Sequence, residues 1–158
     1  KRFRELGFKV FMVTHQPMVA HGILSDSKVE DLHCNLVYLI SQVDENAVLD
    51  GLYTCPHDPN GTEADYTEEC ECRKPKPGLM VQASGDFSVD LDKSIMVGSE
   101  PSDIVAGRLA GCKSVLIAGD RNSNPVQESD VDYSADLTSP EGTFADLVEV
   151  ANWLEGQS

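Results

Sequence analysis

Two closely spaced pairs of metal-type ligands constrain this chain more than any other feature. Cys55 and His57 form the first pair, Cys70 and Cys72 form the second, and one residue separates the partners in each. Thiols and an imidazole in this number make a complete tetrahedral shell for zinc, with no position left for water. We therefore predict a structural zinc site that orders the intervening segment, residues 58–69, which has no apolar periodicity. Two disulfides, or four unrelated residues, are the alternative interpretations.

The residues that leave this cluster carry positive charge. Arg73 and Lys74 follow the last ligand directly, and Pro75 and Pro77 stiffen the chain after them. Bound zinc would therefore aim two basic side chains in a fixed direction. A planar guanidinium and an ammonium group suit phosphate oxygens, whereas the plain alternative is a solvated pair on the surface.

The charge balance restricts the classes of partner. Among 158 residues, 27 acids face 12 bases and give a net charge of −15, which argues against nucleic acid or an anionic membrane as a partner. A phosphorylated small molecule remains compatible, because a few local bases dominate within a Debye length. The odd number of cysteines and their metal-type spacing indicate a reducing compartment, so we expect a cytoplasmic protein. Cys34 and Cys112, which lie outside the cluster, are expected to be buried thiols.

Alternating apolar runs and helical patterns predict an α/β fold, a Rossmann-like parallel sheet with flanking helices. We expect strands at 8–13, 49–54, 94–97 and 111–117, a polar loop at 119–130 and a short edge strand at 131–135. Helices are expected up to residue 6 and at 79–84, 101–110 and 143–154. A capping box at Ser27 to Glu30 predicts the start of a further helix. Its apolar residues recur at helical spacing, namely Val29, Leu32, Leu36, Leu39, Ile40 and Val43.

Four motifs resemble one enzyme superfamily. In chain order they read Val13-Thr14-x-Gln16, Tyr53-x-Cys55-Pro56-His57, Cys70-x-Cys72-Arg73-Lys74-Pro75-x-Pro77-Gly78, and Met96-Val97-Gly98-x-x-x-x-Asp103. With them the chain resembles the haloacid dehalogenase (HAD) superfamily. Within it, the chain is similar to the D-glycero-D-manno-heptose 1,7-bisphosphate 7-phosphatases and the related histidinol-phosphate phosphatases. The resemblance implies a monomer that hydrolyses a phosphorylated sugar, with magnesium, through an aspartyl-phosphate.

The resemblance also implies roles for individual residues. Thr14, at the carboxyl end of the first predicted strand, would hold a phosphate oxygen, and Lys74 would neutralise the phosphate and the nucleophile. Gln16 and Arg73 would contact the substrate. Asp103 keeps the place of the second acid of the magnesium motif, and we expect it to be a weak magnesium ligand.

Several positions depart from the pattern of the family. The first magnesium acid is replaced by Ser99, a poor ligand for a hard cation, and the following lysine by Glu100. In the motif around Thr14, His15 replaces an asparagine and Pro17 a serine, and His21 stands where an arginine is common. These changes put magnesium binding in doubt.

The nucleophile of the family comes from an Asp-x-Asp motif on its first strand, and no such motif precedes Thr14. We therefore expect residues 1–158 to form one HAD-like domain that lacks this strand, with a zinc loop at 55–77, and the nucleophile to lie upstream. By resemblance, the strand would lie between those ending at Val13 and Val97. Its absence would leave two unpaired strand edges, so we expect residues 1–158 alone to be unstable or to aggregate.

Two interpretations of function remain open. In the first, the chain is part of a phosphatase that acts on a sugar bisphosphate. In the second, it is a catalytically silent relative that keeps the zinc-stapled fold as a binding or scaffold module. A nucleic-acid-binding zinc module conflicts with the acidic charge and the ligand spacing.

Overall fold

The computed structural model describes residues 1–118 and 135–157, and the chain divides into two compact units, Lys1–Arg73 and Lys74–Ser158. Every strand pair within these residues is parallel, and helices alternate with the strands. The predicted parallel α/β fold is therefore confirmed. The predicted loop at 119–130 and most of the predicted strand at 131–135 lie outside the described residues, whereas Ala135 begins a short helix.

The first unit pairs two strands and carries two helices. Its elements are α1 (Arg2–Glu5), β1 (Phe11–His15), α2 (Asp26–Val43) and β2 (Gly51–Cys55). The parallel register sets Thr14 opposite Thr54 and His15 opposite Cys55. The carboxyl ends of both strands therefore lead into the segments that hold the candidate site.

Strand β1 begins three residues later than predicted and includes Thr14 and His15. The residue before β1, Val10, is hydrogen-bonded to Asp50, and we call this pair of hydrogen bonds the Val10–Asp50 clasp. The backbone N–H of Val10 donates to Oδ2 of Asp50 at 2.7 Å, and the N–H of Asp50 donates to the carbonyl of Val10 at 2.7 Å. The N–H of Val10 therefore bonds to a side chain and not to a strand partner. The regular β1–β2 pairing starts only after the clasp, at Phe11 and Gly51.

Helix α2 starts before its predicted cap. Ser25, not Ser27, is the N-cap residue, and its Oγ accepts a hydrogen bond from the backbone N–H of Lys28 at 3.2 Å. Of the apolar residues that recur at helical spacing in α2, only Val29 is buried; Leu32, Leu36, Leu39 and Val43 are exposed. The spacing identifies an apolar face, but it does not say what packs against that face.

The second unit carries a three-stranded sheet in the order β3, β4, β5. Its elements are α3 (Gly78–Phe87), β3 (Ile95–Gly98), α4 (Pro101–Leu109), β4 (Lys113–Ile117), α5 (Ala135–Thr138), β5 (Thr143–Phe144) and α6 (Leu147–Glu155), with a 3₁₀ turn at Leu91–Lys93. Helix α4 packs closely on the sheet, since a Cβ at Gly107 would overlap the side chains of Met96 and Ser114. Fully buried side chains here include Leu79, Ile104, Val105, Val115 and Val150.

The predicted helix at 143–154 proves to be two elements. Thr143 and Phe144 form β5 beside β4, and α6 begins only after Asp146. Oδ1 of Asp146 accepts the backbone N–H groups of Val148 and Glu149 at 2.8 and 2.9 Å, which fixes the helix start. Helix α3 is longer than predicted and is followed by the C-cap residue Ser88, whose φ is +52°.

The two cysteines outside the cluster differ in burial. Cys112 is buried as predicted, but Cys34 is exposed on α2, so the expectation of a buried thiol there was wrong.

The strand edges bear on the strand that the sequence leads us to expect upstream. In the described residues β1 and β2 pair only with each other, and the strand expected between β1 and β3 stays a prediction. None of the helices described is both long and apolar enough to cross a bilayer.

Candidate functional site

The predicted zinc ligands come together in the first unit. The ligand atoms of Cys55, His57, Cys70 and Cys72 all lie within 4.8 Å of one another. The Sγ atoms of Cys55 and Cys70 are 3.6 Å apart, and those of Cys70 and Cys72 are 3.3 Å apart. A tetrahedral shell with Zn–S bonds of about 2.3 Å separates its sulfurs by about 3.8 Å, so the cluster fits a zinc ion. All five cysteines are free thiols, and the disulfide interpretation is therefore wrong.

The imidazole of His57 is oriented for metal binding through one nitrogen. Its Nδ1 faces the Sγ of Cys72 at 3.3 Å, and its Nε2 lies 3.2 Å from Oε1 of Glu68. A carboxylate on the far nitrogen fixes the tautomer and the ring orientation of a metal-ligating histidine. Glu68 was missed by sequence reasoning, although an acid inside a ligand loop is the signal that would have found it.

Burial disfavours the charged thiols of the cluster. Burial raises the pKa of the Cys72 thiol well above its ordinary value, and the neighbouring Cys55 and Cys70 raise it further. Burial is also the main cause that raises the pKa of Cys55. A cation among these sulfurs would reverse this effect, because a thiol releases its proton to solvent when its sulfur binds a metal. The donor set is therefore one that a zinc ion would stabilise.

Backbone hydrogen bonds dock the ligand loop onto the turn that follows β1. The N–H groups of Thr62 and Glu63 both donate to the carbonyl of Ala20, at 2.7 and 2.9 Å. Gly61 packs against the same residue, and a Cβ at Gly61 would lie 2.6 Å from the Ala20 oxygen. Nε2 of His15 lies 2.9 Å from the carbonyl oxygen of His57. His15 therefore binds the ligand loop, a contact its place in the motif did not predict.

Asp58 links this turn to Arg73. Its Oδ1 lies 3.8 Å from Nη1 of Arg73, and its Oδ2 lies 3.3 Å from Nε2 of His21. Burial alone would raise the pKa of Asp58, but the N–H of Asn60, His21 and Arg73 together hold it below its ordinary value. Sequence reasoning assigned no role to Asp58 or His21.

Thr14 and Gln16 lie at the end of β1, as predicted. The amide nitrogen Nε2 of Gln16 donates to Oγ1 of Thr14 at 3.1 Å. The backbone N–H of Gln16 donates to the carbonyl of Cys55 at 2.8 Å, which ties this end of the strand to the cluster. The hydroxyl proton of Thr14 remains available to a further acceptor.

Lys74 and Asp103 meet in the second unit. Nζ of Lys74 lies 2.5 Å from Oδ1 of Asp103, and the two side chains are 18% and 7% exposed. Oδ2 of Asp103 accepts the backbone N–H groups of Ser99 and Glu100 at 2.9 and 3.1 Å. Asp103 thereby caps α4 and also holds Lys74 in place.

No group of three or more acids in the described residues is placed to share a magnesium ion. Among these residues, the four predicted zinc ligands are the only group of three or more acids, histidines or cysteines placed to share an ion. Both oxygens of Asp103 already accept hydrogen bonds, and the neighbouring position is occupied by Ser99. The predicted role of Asp103 as a weak magnesium ligand stays a prediction, and its contacts favour a role as the partner of Lys74.

Comparisons with known proteins bear directly on the family. Residues 71–144 match the family model described as HAD-hydrolase-like. The chain is 33% identical over 139 residues to D-glycero-beta-D-manno-heptose-1,7-bisphosphate 7-phosphatase of Haemophilus influenzae, covering 86% of this chain and 73% of that protein. The chain belongs to the heptose-bisphosphate phosphatase family of the HAD superfamily. The resemblance seen in its motifs is thereby confirmed.

Two further members of the heptose-bisphosphate phosphatase family are similar to the chain. The enzyme of Yersinia pestis is 34% identical over 126 residues, and the match spans 80% of this chain but only 65% of that relative's length. A crystal structure of D,D-heptose 1,7-bisphosphate phosphatase from B. bronchiseptica, complexed with magnesium and phosphate, matches with a TM-score of 0.74 at 26% identity. This match covers 99% of the chain and 79% of that structure, so the HAD fold is shared.

Proposed function

We propose that the protein containing this chain is a phosphomonoester hydrolase that acts on a sugar bisphosphate of the D-glycero-D-manno-heptose 1,7-bisphosphate kind. The observation that carries the proposal is the ion pair between Lys74, which lies two residues after Cys72, and the buried Asp103. The relatives described above bear names of heptose-1,7-bisphosphate 7-phosphatases, which supports this class of substrate.

Each residue would contribute through charge and position rather than through covalent chemistry. A phosphoryl group in transfer spreads charge over its equatorial oxygens, so a fixed cation close by lowers the barrier. Lys74 would supply that cation, because Asp103 holds its ammonium group in a fixed place. The Thr14 hydroxyl would donate to a phosphate oxygen. Gln16 and the planar fork of Arg73 would bind phosphate or sugar oxygens of the substrate.

The covalent step would belong to an aspartate outside residues 1–158. Its carboxylate would attack phosphorus while the bond to the sugar oxygen breaks, and the leaving oxygen takes a proton from a general acid. Water would then release the phosphate from the aspartyl-phosphate. A magnesium ion, when bound, would offset the negative charge of the phosphate. Within this chain only Asp103 stands at a position of the family's magnesium motif.

Ser99 and Glu100 favour a second candidate, a silent module that keeps the zinc-stapled fold for binding. A serine replaces a magnesium acid of the family, and a glutamate replaces its lysine. The backbone N–H groups of both residues are committed to capping by Asp103. In this case the fold and the zinc would persist without hydrolysis.

Phosphate release by the natural protein, with whatever sequence precedes Lys1, separates these candidates. We expect release from heptose 1,7-bisphosphate in the presence of magnesium, and ³¹P NMR identifies which phosphate leaves. Histidinol phosphate and heptose 7-phosphate are the comparison substrates. Hydrolysis of none of the three would overturn the proposed function and favour the silent module.

A further inference from the structure

Asp58 lies where three separate parts of the first unit meet. It directly follows the zinc ligand His57, its Oδ2 contacts His21 of the turn after β1, and its Oδ1 contacts Arg73 at the exit of the ligand loop. Each carboxylate oxygen thus faces one of these two side chains. The side chain is only 15% exposed, so it is largely shielded from water.

The backbone around Asp58 fixes the direction of its carboxylate. Its N–H donates to the carbonyl of Tyr66 at 3.1 Å, across the ligand loop. The N–H of Asn60 donates to Oδ1 at 3.0 Å, a local turn contact that restricts the side-chain rotamer. A carboxylate held in this way acts as a fixed anchor for whichever cation reaches it.

Arg73 is a cation that such an anchor can hold. A long side chain that is free in solution loses rotamer entropy when it binds, and a fixed ion pair removes part of that loss before the substrate arrives. The contact with Asp58 is made through Nη1. Because a guanidinium carries several N–H donors in a fork, one side chain can meet Asp58 and other oxygens at the same time.

We propose that Asp58 is a positioning residue that sets the guanidinium of Arg73 to bind the phosphate or sugar oxygens of the substrate remote from the bond that breaks. This inference rests on the proposed function, which makes Arg73 a substrate contact. Nε2 of His21 lies 3.3 Å from the second oxygen of Asp58 and so adds a contact that favours this orientation of the carboxylate. The departure at His21 from the family pattern thereby acquires a role.

Kinetics of the natural protein test the inference. Asp58→Asn keeps the size of the side chain and removes its charge, so we expect KM for heptose 1,7-bisphosphate to rise about three- to fivefold, as for the loss of one ion pair without a hydrogen bond. We expect kcat to change by less than about twofold, since the reacting centre is untouched. Asp58→Glu restores the charge and should recover part of the loss. The matched control is Asp65→Asn, which removes the same charge from an exposed acid of the same loop.

A double-mutant cycle separates positioning from a structural role. In an Arg73→Ala background, Asp58→Asn should change KM by less than about twofold, because the residue through which it acts is gone. An equal rise of KM in both backgrounds, or loss of bound zinc in Asp58→Asn, would overturn the inference.

An NMR measurement, which needs no enzymatic activity, tests whether Asp58 orders the side chain of Arg73. The side-chain Nε–Hε group of Arg73 reports its order on the ps–ns timescale, and we expect this order to fall in Asp58→Asn and to stay unchanged in Asp65→Asn. Unchanged order in Asp58→Asn would overturn the positioning role even if the enzyme is active. If the natural protein hydrolyses no sugar phosphate, the proposed function fails, and this measurement still decides whether Asp58 fixes Arg73.

Discussion

Nζ of Lys74 lies 2.5 Å from Oδ1 of Asp103, and this ion pair ties the residue that follows Arg73 to the first turn of α4. The two residues are 29 positions apart. Asp103 also accepts two backbone N–H groups, so its carboxylate is fixed on both oxygens. A lysine held by such a group offers a cation of defined position, which is what phosphoryl transfer requires.

Removing the charge of Lys74 should abolish most of the activity. We expect Lys74→Met to lower kcat about 10²- to 10³-fold, the usual cost of losing one preorganised electrostatic contact. Stability should fall as well, because the buried carboxylate of Asp103 would lose its counter-charge. The matched control is Lys93→Met, since Lys93 is 83% exposed and its ion pair with Asp90 contributes little. Wild-type kcat in Lys74→Met would contradict the proposed role.

Zinc binding should depend on the four residues of the cluster and not on the total number of cysteines. We expect Cys72→Ser to lose its zinc and, with it, the protection of the loop amides of Asp58 and Tyr66 from hydrogen exchange. Cys34→Ser, which alters an exposed thiol outside the cluster, should retain about one zinc per chain. Metal analysis with hydrogen exchange measures both. Full zinc content in Cys72→Ser would show that the cluster is not the site.

Gly98 should tolerate no side chain, because of Asp103. A Cβ at Gly98 would overlap the side chain of Asp103, so Gly98→Ala should displace that carboxylate and cost about 1 to 3 kcal/mol of the free energy of unfolding. Gly85→Ala in α3 is the matched control. A Cβ at Gly85 would have no neighbour within 4 Å, and alanine there should stabilise the helix by about 0.5 to 1 kcal/mol. Denaturant unfolding would contradict the prediction if both variants behaved alike.

The Val10–Asp50 clasp should make the free energy of unfolding depend on pH in the acidic range. Burial alone would raise the pKa of Asp50, but hydrogen bonds from Arg4 and from the N–H of Val10 hold it below its ordinary value. A lowered folded pKa stabilises the fold above the unfolded value of about 3.9, and this contribution disappears as the pH falls through the folded pKa. Asp50→Asn should therefore cost about 1 to 2 kcal/mol at pH 7.

The pH profile of that variant provides the check. The difference from wild type should be constant from pH 7 down to about pH 5 and should shrink below about pH 4. Asp65→Asn, at an exposed acid, should follow wild type throughout. A deficit in Asp50→Asn that persists unchanged below the folded pKa would contradict the assignment.

The cluster of candidate zinc ligands was predictable because its residues are close in sequence and their chemistry is specific. Cys55 and His57 continue the end of β2, so a short loop suffices to return Cys70 and Cys72 to them. The pairing of Lys74 with Asp103 was not predictable, since each residue had been assigned a separate role by resemblance. Only the fold shows that α4 directs its first acid at Lys74.

Other differences have local physical causes. Ser25 and Ser27 are both acceptable caps by composition, and the backbone before α2 selects Ser25. The apolar spacing at 143–154 looks like one helix, but Asp146 is an N-cap residue. The helix α6 therefore starts after Asp146, and Thr143 and Phe144 are left to form β5. Asp58 escaped notice because an acid beside a metal ligand looks like a solvated residue until its partners are known.

Phosphate release and zinc content, measured on one preparation of the natural protein, test the proposed function most directly. We expect about one zinc per chain together with magnesium-dependent release of one phosphate from heptose 1,7-bisphosphate, reduced at least about 100-fold in Lys74→Met. Full zinc content without any release of phosphate would contradict it and would identify the protein as a zinc-stapled module that has lost the chemistry of its family.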